Sequence, residues 1–197
     1  MVALSDPYYL APEGYLQQEA QSTIKHEYIN GKVFAMVGTD NHNTIALNLA
    51  SLIRNHLRGT DCRVYFADLK VRLEKPNCFY YPDVFVTCDP RDRETSTYKR
   101  FPKFILEVLS DSTEAFDRGD KFNDYQTIES LQEYVLVNSK QQRVEVFRQD
   151  EDGIWLYQRY RPINQTIFFQ SLDLTINFID LYEDVDLVSP LNPDSVN

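Results

Sequence analysis

A six-residue apolar run with one carboxylate inside it constrains the fold of this chain more than any other feature. The run is FILEVL, Phe104–Leu109, and Glu107 is its charged residue. Its composition predicts a buried β-strand, whose alternation directs Glu107 to the face that also carries Ile105. An ionised carboxylate in an apolar interior costs several kcal/mol, whereas a whole domain is stable by only about 5–15 kcal/mol. Glu107 therefore requires a basic partner, a proton or a metal ion.

The segment after this strand offers a partner. Asp117, Lys121 and Tyr125 follow one another at four-residue steps, so a helix through them places all three on one face. Gly119 inside this helix costs about 1 kcal/mol relative to Ala, and tight packing over a site would explain it. Taken without Glu107, an ordinary solvent-exposed helix face is the better interpretation.

A second carboxylate falls in another apolar strand. Asp83 in YYPDVFV shares a face with Tyr81 and Phe85 by strand alternation. A Pro-Asp pair is common in turns and carries little weight alone. If the two acid-bearing strands are neighbours, however, Asp83 and Glu107 can share a cation. Oxygen ligands with open coordination positions suit Mg²⁺ or Mn²⁺ rather than zinc.

The remaining sequence predicts an α/β (α+β) fold in which helices flank a mixed β-sheet and additional β-hairpins are attached. Asn30-Gly31 between two apolar runs is a strong hairpin signal, and a second hairpin is expected at Asp152-Gly153. Leucine and isoleucine at helical spacing predict a helix over residues 41–58. Residues 1–188 are expected to form one domain, and the polar residues 189–197 a flexible tail. The expected sheet strands are Arg63–Glu74, Phe79–Thr87, Lys103–Leu109 and Glu133–Val137.

Composition bounds the function classes. The formal net charge of −10 argues against loose, charge-driven binding to nucleic acid. It does not argue against an acidic site whose cation meets phosphates. No apolar run approaches the ~20 residues of a membrane span, so a cytoplasmic location without a membrane partner is expected. Cys62, Cys78 and Cys88 are widely spaced. Small buried residues explain them better than a disulfide framework or a zinc site.

Together these features resemble a known superfamily. Asp83, Glu107 and Lys121, with the order of the core elements, resemble the active site of the PD-(D/E)xK, restriction-endonuclease-like superfamily. Almost the whole chain resembles the Uma-type family of predicted endonucleases within it. The simple motif has a Lys two residues after the acid, where this chain has Leu109, whereas the Uma-type pattern uses a helix Lys at the position of Lys121. The stretches that carry the resemblance are HEYINGKV, DNHNTIALNL, YPDVFV, LEVLSDSTEAFDRGDKFNDY and EYVLVN.

The resemblance implies a restriction-endonuclease-like sheet and metal-assisted hydrolysis of a DNA phosphodiester. Asp83 and Glu107 would be catalytic residues that hold Mg²⁺ or Mn²⁺, with the Val108 carbonyl as a further ligand, and the ion would activate water. Lys121 would orient that water or stabilise charge on the phosphate. Supporting positions are Glu27, His42 and Tyr125.

The polar segment Asp89–Arg100 joins the two acid-bearing strands and has no apolar period. A mobile loop beside the cleft is therefore expected. Cleavage of two DNA strands would also suit a homodimer with two sites. The side chains of this segment expected to contact DNA phosphates are Arg91, Arg93, Lys99 and Arg100.

Alternatives stay open from the sequence. A nuclease-fold domain without catalysis could act as a binding or regulatory protein, and the acidic charge keeps this alternative open. A purely structural Lys–carboxylate cluster would lose much stability when one partner is removed. At single positions, Glu27 is equally well explained as a surface charge of a hairpin, and His42 is slightly better explained as a polar residue at a helix start.

Overall fold

The mixed α and β architecture expected from the sequence is confirmed. The computed structural model describes residues 9–36 and 38–187. The helices are α1 (Pro12–Glu19), α2 (Asp40–His56), α3 (Glu114–Arg118), α4 (Asp120–Tyr125) and α5 (Phe178–Leu181). The strands are β1 (His26–Ile29), β2 (Lys32–Ala35), β3 (Arg63–Phe66), β4 (Lys70–Leu73), β5 (Cys78–Tyr80), β6 (Val84–Thr87), β7 (Tyr98–Lys99), β8 (Phe104–Leu109), β9 (Glu133–Asn138), β10 (Val144–Gln149), β11 (Trp155–Tyr160), β12 (Thr166–Phe169) and β13 (Leu174–Asn177).

The largest sheet contains the strand that carries Glu107. Its order is β11-β10-β9-β8-β6-β3, in which β8 and β9 are parallel and the other neighbours antiparallel. One face packs on α2, through residues such as Leu49 and Ile53. The other face packs on α4, through Phe122 and Tyr125. Because helices cover both faces, the central strands β8 and β9 are mostly apolar, and Glu107 is enclosed.

Two predicted strands are interrupted, and the interruptions divide their halves between two sheets. The expected strand Arg63–Glu74 is β3 and β4, separated at Ala67, where φ is 58°. The expected strand Phe79–Thr87 is β5 and β6, separated around Pro82, which has no N–H to donate to a ladder. The second half of the first segment, β4, and the first half of the second segment, β5, join the sheet β2-β1-β5-β4-β7. The prediction that both segments lie entirely in one central sheet is therefore wrong.

The helix predicted after β8 is two short helices. α3 ends at Arg118 and α4 begins at Asp120, with Gly119 between them. A Cβ atom at Gly119 would lie 3.1 Å from the carbonyl oxygen of Ala115. The absence of a side chain at Gly119 therefore permits the close approach of the chain to this carbonyl.

Local signals in the sequence were otherwise reliable. Asn30 and Gly31 have φ values of 44° and 89° and connect β1 to β2, and β10 pairs with β11 as the second hairpin. The helix α2 differs from the predicted range by two residues at most. The small sheet of β12 and β13 was not predicted. The proposed tail, 189–197, lies outside the described residues, as do residues 1–8, 37 and 188 of the proposed domain. Among the described helices, none combines the length and apolar character required to cross a bilayer.

The cysteines differ from the prediction. Cys62 and Cys88 form a disulfide, so the interpretation of all three as free buried residues is wrong. These two directly flank β3 and β6, whose antiparallel register pairs Arg63 with Thr87. The pairing of the strands brings the flanking residues opposite one another, which their spacing in the sequence does not reveal. Cys78 is free and buried, as expected.

The segment Asp89–Arg100 is folded and contains a 3₁₀ helix, Pro90–Arg93, and strand β7. Its mobility stays a prediction. Asp92 is buried and accepts a hydrogen bond from the Thr87 hydroxyl at 2.6 Å. It also accepts main-chain N–H groups from Arg100 at 2.7 Å and from Phe101 at 3.1 Å. One buried carboxylate thus organises a segment whose sequence has no apolar period.

Asp92→Ala is expected to lower the free energy of unfolding by about 3 kcal/mol, because several buried donors lose their acceptor. Urea denaturation monitored by circular dichroism measures this change. The control is Glu94→Ala, which removes an exposed partner of Arg100 at 3.6 Å and is expected to change stability by less than about 0.5 kcal/mol. Equal stability of the two variants would mean that the segment is as mobile as its sequence suggests.

Candidate active site

Strands β6 and β8 place two carboxylates side by side. Their antiparallel register pairs Val84 with Leu106, and one further step along each strand puts Asp83 opposite Glu107. The main-chain N–H of Val108 donates to Asp83 Oδ2 at 2.7 Å, which holds this carboxylate against β8. Both carboxylates are buried on the face that α3 and α4 cover. The expected adjacency of the two acid-bearing strands is confirmed.

Lys121 lies at the centre of an acidic cluster. Its Nζ is 2.9 Å from Glu107 Oε1 and 3.0 Å from Glu27 Oε1. The Oδ1 atom of Asp117, one turn earlier across the Gly119 junction, is 3.5 Å away. All four side chains are at most 5% exposed. The fold thus brings Lys121, a candidate partner on the helical segment that follows β8, into contact with Glu107.

Two supporting residues contact the paired carboxylates. The Tyr125 hydroxyl donates to Glu107 Oε1 at 2.9 Å. His42, in the first turn of α2, has Nε2 at 3.1 Å from Asp83 Oδ2. Burial acts to lower the pKa of His42, but the Asp83 carboxylate raises it above its ordinary value. His42 is therefore more than a polar residue at a helix start, since it orients a carboxylate of the cluster.

Glu27 is part of the site and not a surface charge. It lies on β1, in the second sheet, and only 4% of its surface is exposed. Its Oε1 contacts Lys121 and accepts the main-chain N–H of Tyr81 at 3.2 Å. The break between β5 and β6 provides that N–H group, because Tyr81 is the first residue after β5. The alternative of a hairpin surface charge is therefore wrong.

Burial and mutual repulsion change the titration of the cluster. Burial raises the pKa of Glu107 well above its ordinary value; Lys121 opposes this shift, and Asp83 and Asp117 add to it. Burial likewise raises the pKa of Glu27, with Lys121 again opposing. Burial alone would lower the pKa of Lys121, but Glu107, Glu27 and Asp117 raise it well above its ordinary value. Lys121 is therefore firmly cationic, and one ammonium does not offset all of the surrounding carboxylates.

The cluster lines a pocket of about 370 Å³. Liquid water occupies about 30 Å³ per molecule, so the pocket has room for a hydrated cation and a phosphate group. Besides the acidic cluster and Val108, its wall includes the hydroxyl side chains Ser110, Ser112 and Thr113.

The donor set fits a hard divalent cation. The protein hydrogen bonds and ion pairs described above reach Asp83 at Oδ2 and Glu107 at Oε1. Asp83 Oδ1 and Glu107 Oε2 accept no hydrogen bond from the described residues. No three His, Cys, Asp or Glu side chains in the described part of the chain surround a common cation position. Water and phosphate oxygens would complete the coordination sphere, as is usual for Mg²⁺.

Asp117 was not among the predicted site residues, although it contacts Lys121. Its four-residue spacing from Lys121 was the available signal. Burial raises the pKa of Asp117, and Lys121 opposes this shift. The Tyr134 hydroxyl, from β9, donates to the Asp117 carbonyl at 2.8 Å. This bond ties α3 to the sheet, and it depends on a strand pairing that the sequence does not specify.

The four basic residues predicted to contact DNA are not part of this pocket. In the described part of the chain they follow the end of β6 at Thr87, whereas Asp83 precedes its beginning. Lys99 is only 4% exposed and donates to the Asp92 carbonyl at 2.6 Å. The predicted position beside the cleft is therefore wrong, while the DNA contact itself stays a prediction. The residues concerned are Arg91, Arg93, Lys99 and Arg100.

Comparison with known proteins agrees with the resemblance seen in the sequence. The model of the Uma2 family, described as "Putative restriction endonuclease", matches residues 12–177. The chain belongs to the Uma2 family. Two uncharacterized proteins of Synechocystis sp. (strain ATCC 27184 / PCC 6803 / Kazusa) are similar to this Uma2 protein. The first is 43% identical over 153 residues, which cover 77% of this chain and 80% of the relative. The second is 31% identical over 177 residues, which cover 88% of this chain and 100% of the relative.

The fold of this Uma2 protein is also found in a solved structure. A crystal structure from Anabaena variabilis ATCC 29413, titled a "putative nuclease", superposes with a TM-score of 0.69. The superposition covers 85% of this chain and 96% of that chain at 17% sequence identity. At this identity the likeness concerns the fold alone, and it confirms the predicted fold class.

Glu107→Gln is expected to raise the melting temperature of the metal-free protein by a few degrees, because it removes one of several mutually repelling buried carboxylates. The matched control is Glu133→Gln on the neighbouring strand. Glu133 is also buried, but it accepts hydrogen bonds from Arg148, Gln170 and Ser171. The control substitution is expected to lower the free energy of unfolding by about 3 kcal/mol.

Thermal unfolding in EDTA measures both changes. A large loss of stability in Glu107→Gln, comparable to that of Glu133→Gln, would favour the alternative of a purely structural Lys–carboxylate cluster.

Proposed function

We propose that this Uma2 protein is a metal-dependent DNA endonuclease that hydrolyses phosphodiester bonds. The observation that carries the proposal is the convergence of Asp83, Glu107 and Lys121 at one pocket. Two carboxylates with unused oxygen atoms suit a divalent cation, and a fixed ammonium suits the charge that develops on a phosphate. The description of the family and the fold of the Anabaena protein support the reaction class.

Asp83 and Glu107 would hold Mg²⁺ or Mn²⁺, and the Val108 carbonyl is the candidate third protein ligand. A bound cation supplies Lewis-acid polarisation of the phosphate and a water of lowered pKa. The protein's own contribution is orientation. The Val108 N–H and His42 fix one oxygen of Asp83, and Tyr125 fixes one oxygen of Glu107.

Lys121 would stabilise negative charge on the phosphate or orient the attacking water. Three carboxylates hold its ammonium and keep it charged, so no reorganisation is needed when the substrate binds. Glu27 holds it from β1 and Asp117 holds it from α3. A migrated Lys on a helix can replace the Lys of the simple motif, because catalysis depends on its position in space and not on its place in the chain.

Asp83→Asn and Glu107→Gln are expected to abolish both Mn²⁺ binding and DNA cleavage, since each removes a ligand. Lys121→Met is expected to retain Mn²⁺ binding and to lower cleavage by at least about 10²-fold. Combined substitutions are expected to cost little more than single ones, because the three groups serve one transition state. Isothermal titration measures binding, and conversion of supercoiled DNA measures cleavage.

The control is Glu151→Gln, an exposed acid in the turn between β10 and β11, which should match the wild type in both assays. Cleavage that persists in Glu107→Gln would identify a contaminating nuclease. Normal Mn²⁺ binding without cleavage of any DNA would favour the alternative of a binding or regulatory protein. Pairing of two copies to cut both strands stays a prediction, which sedimentation of the protein on DNA would test.

A further inference from the structure

A row of residues connects the acidic cluster to the edge of the large sheet. The register pairs Glu107 with Leu136, Leu136 with Glu145, and Glu145 with Arg159. Directly paired residues share a face of the sheet, so this row lies on the face that carries the pocket. Neighbouring strands are about 4.8 Å apart, which places the Arg159 backbone about 14 Å from that of Glu107.

Three guanidinium groups converge on Glu145, which is only 2% exposed. Arg118 of α3 forms an ion pair with it, Arg143 Nε is 3.4 Å from Oε1, and Arg159 Nε is 3.7 Å from the same atom. Glu114 is a second acidic partner, 2.9 Å from Arg118 Nε. Three positive and two negative charges leave a local charge of +1 in a chain of net charge −10. We refer to Arg118, Arg143 and Arg159 as the arginine row.

Compensation of the buried Glu145 charge explains only part of this arrangement. One guanidinium would compensate a buried carboxylate, yet the arginine row supplies three, and each carries five N–H donors. The side chains are 29%, 27% and 43% exposed for Arg118, Arg143 and Arg159. Donors therefore remain for an external anion.

We propose that the arginine row binds phosphates of the DNA strand that leaves the pocket. The inference rests on the proposed function and adds the path of the substrate. Helix α3 links the two sites, because Asp117 contacts Lys121 while the next residue, Arg118, contacts Glu145. One guanidinium group can donate two parallel hydrogen bonds to the oxygens of one phosphate. The backbones of Glu145 and Arg159 lie two and three strands from that of Glu107, or about 10 and 14 Å away. These distances correspond to about three or four nucleotides at ~3.4 Å per nucleotide.

DNA-binding measurements test the proposal without requiring cleavage. Fluorescence anisotropy would use short labelled duplex and single-stranded DNA in Ca²⁺, over about 50–200 mM salt. Arg143→Ala and Arg159→Ala are each expected to weaken binding about three- to tenfold and to reduce the salt slope by about 0.7–0.9. Arg118 is left intact because it is the principal partner of buried Glu145.

A substitution of opposite sign sharpens the test. Glu114→Gln removes an acid that competes for Arg118 and Arg143, so it is expected to tighten DNA binding about threefold. The charge-matched control is Arg54→Ala, an exposed residue of α2, which covers the opposite face of the sheet. It is expected to leave binding unchanged. Melting temperatures of all variants would confirm that they remain folded.

Hydrolysis of bis(p-nitrophenyl) phosphate separates the arginine row from the pocket. This small diester carries one phosphate and cannot reach both sites, so Arg159→Ala should hydrolyse it as the wild type does while cleaving DNA more slowly.

The proposal is overturned if Arg143→Ala and Arg159→Ala bind DNA as tightly as Arg54→Ala. It is also overturned if charge reversal at Arg91 and Arg93 weakens binding while the arginine row has no effect. Normal DNA binding that depends on the arginine row, without any cleavage, would refute the proposed function and leave this inference standing.

Discussion

The contact of one lysine with three carboxylates is the interaction on which the rest of the structure depends. Lys121 of α4 meets Glu27 of β1, Glu107 of β8 and Asp117 of α3. A single ammonium therefore joins both main sheets and both short helices. Burying such a cluster is costly even when it is paired, and the apolar layers on the two faces of the large sheet make that cost tolerable. The arrangement is easier to explain as a requirement of chemistry than as a source of stability.

Two of the breaks in regular structure serve this cluster. The interruption at Pro82 allows Asp83 to face Glu107 and frees the N–H of Tyr81 for Glu27. The junction at Gly119 turns α4 so that Lys121 points toward the sheet. Local rules of secondary structure are commonly violated at functional sites. In this chain these two breaks coincide with the candidate active site, which supports its interpretation as functional.

The sequence predicted what depends on local patterns. The alternation and apolar composition of Phe104–Leu109, the helical spacing in α2 and the turn at Asn30 all act over a few residues, and each prediction was confirmed. The disulfide of Cys62, the second sheet and the folded segment around Asp92 depend on which strands pair. Such pairings are fixed by contacts distant in sequence, and no local period reports them. The helix face of Lys121 and the apolar strand of Asp83 each offered a candidate neighbour of Glu107, and the resemblance to a family brought the three residues together as one site.

The most direct test of the account is a crystal structure of the protein grown with Mn²⁺, with anomalous scattering used to locate the ion. The account predicts one Mn²⁺ bound by both Asp83 and Glu107, with Lys121 still held by Glu27 and Asp117. Crystals of the Glu107→Gln variant grown with Mn²⁺ should give no anomalous peak in the pocket. An ion bound elsewhere, or an empty pocket at saturating Mn²⁺ with Lys121 unmoved, would contradict the central claim that these carboxylates form a cation site.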